Sequence, residues 1–119
     1  MSVNAYQAYK QTQVSTASQG ELLIMLFDGG IRFAKHAKKH LEDGDLAQAN
    51  DKLIRAQDIV NELILSLNLD VGEIAQSLQQ LYTYIYELLV QANVKKETKK
   101  IEEAIYMLTE LRETWEQVV

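Results

Sequence analysis

The 119-residue sequence contains no cysteine, no proline and a single tryptophan. Without cysteine there is no disulfide framework, no thiolate nucleophile and no sulfur-ligated zinc. Without proline, and with 5 glycines, the chain has few obligatory breaks. That favours long helices over a sandwich or barrel, which needs a turn about every ten residues. A long apolar run is missing too. The longest, Leu22 to Phe27, is far short of the roughly 20 residues that a membrane-spanning helix requires. Positive charge is scarce: 12 Lys and Arg stand against 17 Asp and Glu, a net charge of −5. No overall field therefore draws the chain to phosphate backbones or anionic lipid, and neither nucleic acid nor membrane insertion is expected. The first residues, Met1-Ser2-Val3-Asn4-Ala5-Tyr6, carry neither a cationic start nor an apolar core, so a cytoplasmic location is expected.

What is present has the make-up of an ordinary folded domain, 47% hydrophobic and 24% charged, and at this length one core is expected. Residues 1–17 are polar and rich in Gln, Ser and Thr, with Tyr6 and Tyr9 as their only aromatics. They read as an arm or lid, mobile or partly helical, ahead of a folded unit over residues 18–119. At Ser18 the pattern changes. Ser18 and Glu21 form a capping box, and Leu22, Met25, Leu26, Gly29, Phe33, Ala37 and Leu41 then recur at helical steps until Glu42-Asp43-Gly44-Asp45.

Asp45, with Gln48 after it, caps a second helix reaching about Asn68. Its seam is Leu46, Leu53, Val60 and Leu67 with Ala49, Ala56 and Leu63 between. Asp70 and Glu73 read as the next cap pair. The third helix then places Val71, Leu78, Ile85 and Ala92 on one row and Ile74, Leu81 and Leu88 on the other. A fourth starts near Thr98, with Ile101, Leu108 and Trp115 beside Ala104, Leu111 and Val118. Short connections between helices of similar length make an all-α, antiparallel four-helix bundle. Gly29 and Gly30 each cost about 1 kcal/mol against alanine in a helix, which points to a neighbouring element approaching closely.

Catalytic machinery is not evident. A di-metal bundle site needs Glu-x-x-His on paired helices, and the residues three before His36 and His40 are Phe33 and Ala37. His36 and His40 share a helix face, but with Lys35, Lys38 and Lys39 around them they read as a solvated basic helix end. There is no glycine-rich phosphate loop and no nucleophile elbow. Lys95, Lys96, Lys99 and Lys100 are interleaved with Glu97, Glu102 and Glu103, as in a solvated connection. No catalytic residue, metal or cofactor is expected, and the chain does not read as an enzyme. A histidine phosphotransfer bundle using His36 and Lys39 is the signalling alternative, although His40 stands where that pattern has glycine.

Apolar residues off the seams need another explanation. Ile54, Leu65, Tyr86, Val90 and Tyr106 fall at outward positions, while Ile59, Ile64, Tyr82, Tyr84, Leu89, Ile105 and Met107 flank the seams and widen the buried stripe. Outward aromatic and aliphatic residues recurring on three helices fit a contact surface for an amphipathic client helix. Tyr6 and Tyr9 on the arm suit docking into such a groove when it is empty. A bundle that self-associates through the same residues is compatible with the pattern.

Several stretches together resemble the flagellar export chaperone family FliS: Asn4-Ala5-Tyr6-Gln7-Ala8-Tyr9, Thr16-Ala17-Ser18-Gln19-Gly20-Glu21-Leu22, Met25-Leu26-Phe27-Asp28-Gly29, Ala56-Gln57-Asp58-Ile59 and Glu110-Leu111-Arg112-Glu113-Thr114-Trp115-Glu116. The resemblance covers essentially the whole chain in order. It implies an antiparallel helical bundle that binds the disordered C-terminal segment of flagellin, keeps it unpolymerised and helps bring it to a component of the flagellar type III export gate. It also implies that the arm bearing Tyr6 and Tyr9 matters for flagellin binding. Gln19 stands where the family commonly has proline, and Phe27 where tyrosine is frequent. The seams themselves imply that Leu53→Asp and Leu81→Asp bury a charge and unfold the chain, each measurable as loss of a cooperative melting transition.

Overall fold

The computed structural model describes residues 18–118. They form helices α1 (Gln19–Glu42), α2 (Leu46–Leu65), α3 (Glu73–Lys95) and α4 (Thr98–Val118), with one 3-10 turn at Leu69–Val71. Residues 1–17, on which the arm expectation falls, lie outside the described residues. Each helix packs on its neighbours in a closed order, α1 on α2, α2 on α3, α3 on α4 and α4 back on α1. This is the expected antiparallel all-α bundle.

Local chemistry sets the boundaries. The Ser18 Oγ accepts the Glu21 N–H at 3.1 Å, so α1 starts at the expected cap. The α1–α2 connection turns at Gly44, whose φ of +79° favours glycine. Asp45 then accepts the Gln48 N–H at 3.2 Å and opens α2. Helix α2 ends at Leu65, three residues before the expected Asn68. There the Ser66 hydroxyl donates to the Leu63 carbonyl at 2.7 Å and the Leu67 N–H turns back to Ile64, so the last turn tightens and closes.

The third helix corrects the sequence reading in two respects. Asp70 does not cap it. Asn68 accepts the Asp70 N–H at 3.1 Å, which places Asp70 inside the 3-10 turn, and Gly72 at φ +107° redirects the chain so that α3 begins at Glu73. The buried rows are also rotated. Leu78, Ile85 and Ala92 face inward as expected, but their companions are Ala75, Tyr82 and Leu89. Of the expected row, Leu88 is buried, whereas Leu81 is 40% and Ile74 77% exposed. Both pairs of rows satisfy a three-and-four spacing, so periodicity alone does not choose between them. Tyr82 wins because its ring meets Phe27 edge-on, with centroids 6.2 Å apart and planes at 64°.

Helix α1 shows a similar shift. Phe27 and Ala34 are fully buried, while Met25, Leu26, Phe33 and Leu41 of the expected row are half-buried. The seams of α2 and α4 stand as read from Ala49 to Leu63 and from Ile101 to Leu108. Leu46 and Val118 at the bundle ends are 50% and 69% exposed. The expected close approach is present at Gly29, whereas Gly30 has ordinary contact distances. A Cβ on Gly29 would meet the Ile59 Cδ1 at 3.0 Å, and one on Gly30 would meet the Ile59 Cγ2 at 3.4 Å and the Leu108 Cδ1 at 3.6 Å.

The two aspartate substitutions therefore separate. Leu53 is fully buried, so Leu53→Asp lowers stability by about 4 kcal/mol or more. Leu81→Asp, on an exposed stretch, costs about 1 kcal/mol or less. Urea denaturation followed by circular dichroism measures both, and equal losses would refute the revised α3 seam.

Candidate partner-binding surface

Among the described residues the buried side chains are apolar but for the Tyr82 phenol, and the charged groups lie at the surface. The sequence-predicted site residues fall in separate places. On the α2/α3 side, the Asn93 Nδ2 donates to the Asn50 Oδ1 at 2.7 Å and fixes the antiparallel register. Ile54 lies one turn beyond Asn50, Val90 about one turn before Asn93 and Tyr86 another turn back, so the three share one face. Ile54 is 44% exposed. Tyr86 and Val90, expected to point outward, are half-buried, and Tyr86 packs against the core. They form the floor of this face and Ile54 its rim.

Tyr106 is 64% exposed and stands elsewhere. It lines an open groove of about 550 Å³ between α1 and α4, with Ile105 and Thr109 beside it and Lys35, Lys38, Lys39, Glu42 and Glu102 around it. Lys38 bridges to Glu42 at 3.8 Å and to Glu102 at 3.5 Å, tying the two helices together along the rim. Arg112 adds a second tie, reaching Asp28 at 2.5 Å and Glu116 at 2.7 Å. Tyr6 and Tyr9 lie outside the described residues. The flanking set widens the buried stripe as expected except at Tyr84. Ile59, Tyr82 and Leu89 are buried, Ile64, Ile105 and Met107 are half-buried, and Tyr84 is exposed, its hydroxyl donating to Glu103 at 2.6 Å.

A further apolar site was not read from the sequence. At the end of the bundle where α1 starts and α4 finishes, Leu23, Leu67, Ile74, Ala75, Leu78, Tyr82 and Trp115 enclose a pocket of about 220 Å³, with Ser66 and Asn68 at its edge. Around this end Leu65, Leu69, Ile74 and Val118 are exposed. Ile74 and Trp115 sit at seam spacing, but a seam that reaches the last turn has no further layer to cover it. That end effect was the signal available. Burial pushes the Tyr82 phenol above its ordinary range, with the Trp115 indole working against that shift.

Charge gathers on the opposite flank of α1. Arg32, Lys52 and Arg55 surround the Phe33 ring at 5.6, 5.9 and 5.9 Å. Asp51 pairs with Arg55 at 3.0 Å and with Lys52 at 3.6 Å. His36 is exposed, and the His40 Nδ1 lies 4.0 Å from Asp45. Among the described residues, no three His, Cys, Asp or Glu side chains stand close enough together to hold a metal ion.

An all-α bundle that keeps apolar residues on several faces is the geometry expected from the motif resemblance, and direct comparison decides the family. The family model for the flagellar protein FliS matches residues 2–119. The chain belongs to the FliS family. It is similar to the flagellar secretion chaperone FliS of Bacillus subtilis, 39% identical over 116 residues that cover 98% of this chain and 86% of that protein. The FliS chaperone of Salmonella typhimurium is 35% identical over 119 residues, covering 98% of this chain and 88% of the relative. That of Campylobacter jejuni is 36% identical over 115 residues, covering 96% and 90%. Membership makes this FliS chain a flagellar secretion chaperone by family, and among its described residues no helix is long and apolar enough to cross a membrane.

The hydrogen bond from Arg55, supported by the charges of Arg55 and Lys52, holds the Asp51 carboxyl below its ordinary value against an opposing effect of burial. The ionised form is thus favoured by folding, and the stability it adds is present above the ordinary carboxylate range and lost as pH falls through the lowered value. In an NMR titration Asp51 is expected to titrate below the ordinary aspartate value, and Arg55→Gln to move it back toward that value.

Proposed function

We propose that this chain binds the disordered C-terminal segment of flagellin in the cytoplasm, keeps it from polymerising and hands it to the flagellar type III export apparatus. The observation that carries this reading is the FliS family match over residues 2–119 together with relatives named as flagellar secretion chaperones. The chemistry of the surface supports it. An amphipathic segment that folds as it binds must bury an apolar stripe, and the bundle offers apolar residues on the α2/α3 face, in the α1/α4 groove and at the end pocket. Those sites lie on different sides of the molecule. A client that uses them wraps the bundle along a path longer than any one groove.

Ordering a disordered client consumes part of the interaction energy, so affinity accumulates over such a path and no single contact dominates. The bundle contributes no covalent step in this reading; it presents a surface and the client supplies the missing helices. Ile54, Leu65, Tyr86, Val90 and Tyr106 are the contact residues of the bundle. The arm of residues 1–17, with Tyr6 and Tyr9, acts as a lid. It joins α1 at Ser18, at the same end as the pocket lined by Leu23 and Trp115.

Titration calorimetry against a peptide spanning the flagellin C-terminal segment, with circular dichroism alongside, tests the reading. Near 1:1 binding with a gain of helicity is expected. Tyr6→Ala, Tyr9→Ala, Leu65→Asp and Tyr106→Ala should each weaken it by about 1 kcal/mol, or roughly fivefold, with the bundle still folded. Absence of binding would overturn the function, and unchanged affinity in all four variants would overturn the assigned surface.

A further inference from the structure

The apolar path leaves unexplained the cationic cluster on the α1/α2 flank. Phe33 is half-buried and packs against the core. The Arg32 and Arg55 guanidinium carbons and the Lys52 Nζ all lie within 6 Å of its centroid, at 5.6, 5.9 and 5.9 Å. An aromatic face attracts a cation, and one such contact is ordinary. Three cations from two helices on one ring also repel one another, and a single carboxylate oxygen, Asp51 Oδ2, serves both Arg55 and Lys52. Arg32 makes no ion pair with any described residue. In a chain of net charge −5, this is a local positive surplus with guanidinium donors left over.

Guanidinium groups present paired N–H donors in a planar fork that matches a carboxylate. The ring beside them offers an apolar seat. A polyanion such as nucleic acid fits less well, because Asp51 stands within the cluster and the whole chain is acidic. We propose that the α1/α2 face around Phe33 is a docking point for an acidic peptide segment of a partner protein, a side-chain carboxylate taking Arg32 and Arg55 while an adjacent apolar side chain lies against Phe33. Its residues differ from those assigned to the client, although Ile54 of the client path neighbours Arg55 on α2.

A synthetic peptide of alternating glutamate and leucine is a sufficient probe. NMR titration of the full chain should show saturable shifts of the Phe33 ring and of the Arg32 and Arg55 side-chain N–H resonances, weakening as salt is raised. Arg32→Gln with Arg55→Gln should raise the dissociation constant about tenfold. Arg32→Gln alone removes no ion pair among the described residues; it keeps the fold as a control and should weaken binding about threefold. Lys99→Gln, in the other basic stretch, should leave binding unchanged. The proposal is overturned if the Phe33 resonances do not move, if the shifts persist in the double variant, or if an oligonucleotide of equal charge binds more tightly than the peptide.

Discussion

In the middle of α1, Gly29 lets the Ile59 side chain of α2 come closer than an added Cβ would comfortably allow. The Ile59 Cδ1 would lie 3.0 Å from a Cβ on Gly29, while a Cβ on Gly30 would sit in ordinary contact with Ile59 and with Leu108 of α4. Mid-helix glycine costs about 1 kcal/mol per residue against alanine. Here the return is a close crossing at which three of the four helices meet. The crossing fixes how α1 is turned about its axis. Phe27, Ala34 and Ala37 face the centre, and Phe33 is carried to the α2 flank, where Lys52 and Arg55 approach it.

The same rotation settles what is left outside. With Phe27 at the centre, Tyr82 is drawn inward to meet it and α3 turns so that Leu81, Tyr84 and Ile74 face solvent. A bundle this small cannot cover all of its apolar surface, because its surface is large relative to its core. The remainder is not spread evenly. It gathers at the α2/α3 face, at Tyr106 in the α1/α4 groove, and at the end where Leu65, Leu69, Ile74 and Val118 surround the pocket.

Where a single local interaction decides the outcome, the sequence was sufficient. Ser18 and Asp45 cap the helices they were read to cap, and the regular apolar rows of α2 left little choice of face. Two readings failed for reasons a linear pattern does not contain. Asp70 looked like a cap because Glu73 follows it three residues later, but Gly72 turns the chain between them and Asn68 claims the Asp70 N–H. Leu81 fell on a seam row with Ile74 and Leu88 by spacing, yet the edge of a phenylalanine on another helix selected Tyr82 instead. Among the outward residues, Ile54, Leu65 and Tyr106 were recognisable from heptad position alone. Tyr86 and Val90 are half-buried, because an antiparallel neighbour covers part of a position that a single helix counts as open.

Solubility and the client binding proposed above make opposite demands on such a surface, and the groove between α1 and α4 carries features suited to both. Its apolar floor, Ile105 and Tyr106, is bordered by Lys35, Lys38 and Lys39 on one helix and by Glu102 on the other, with Lys38 spanning the gap. A flat apolar patch on a second copy would have to strip water from those charges before touching the floor, an unfavourable step with no new partners for them. A single amphipathic helix is narrow enough to lie between the rims and leave the charges hydrated. Charged borders around short apolar floors therefore discriminate by shape. They disfavour broad association, leave thin helical segments as the occupants that fit, and require a tight complex to be assembled from several such contacts in series.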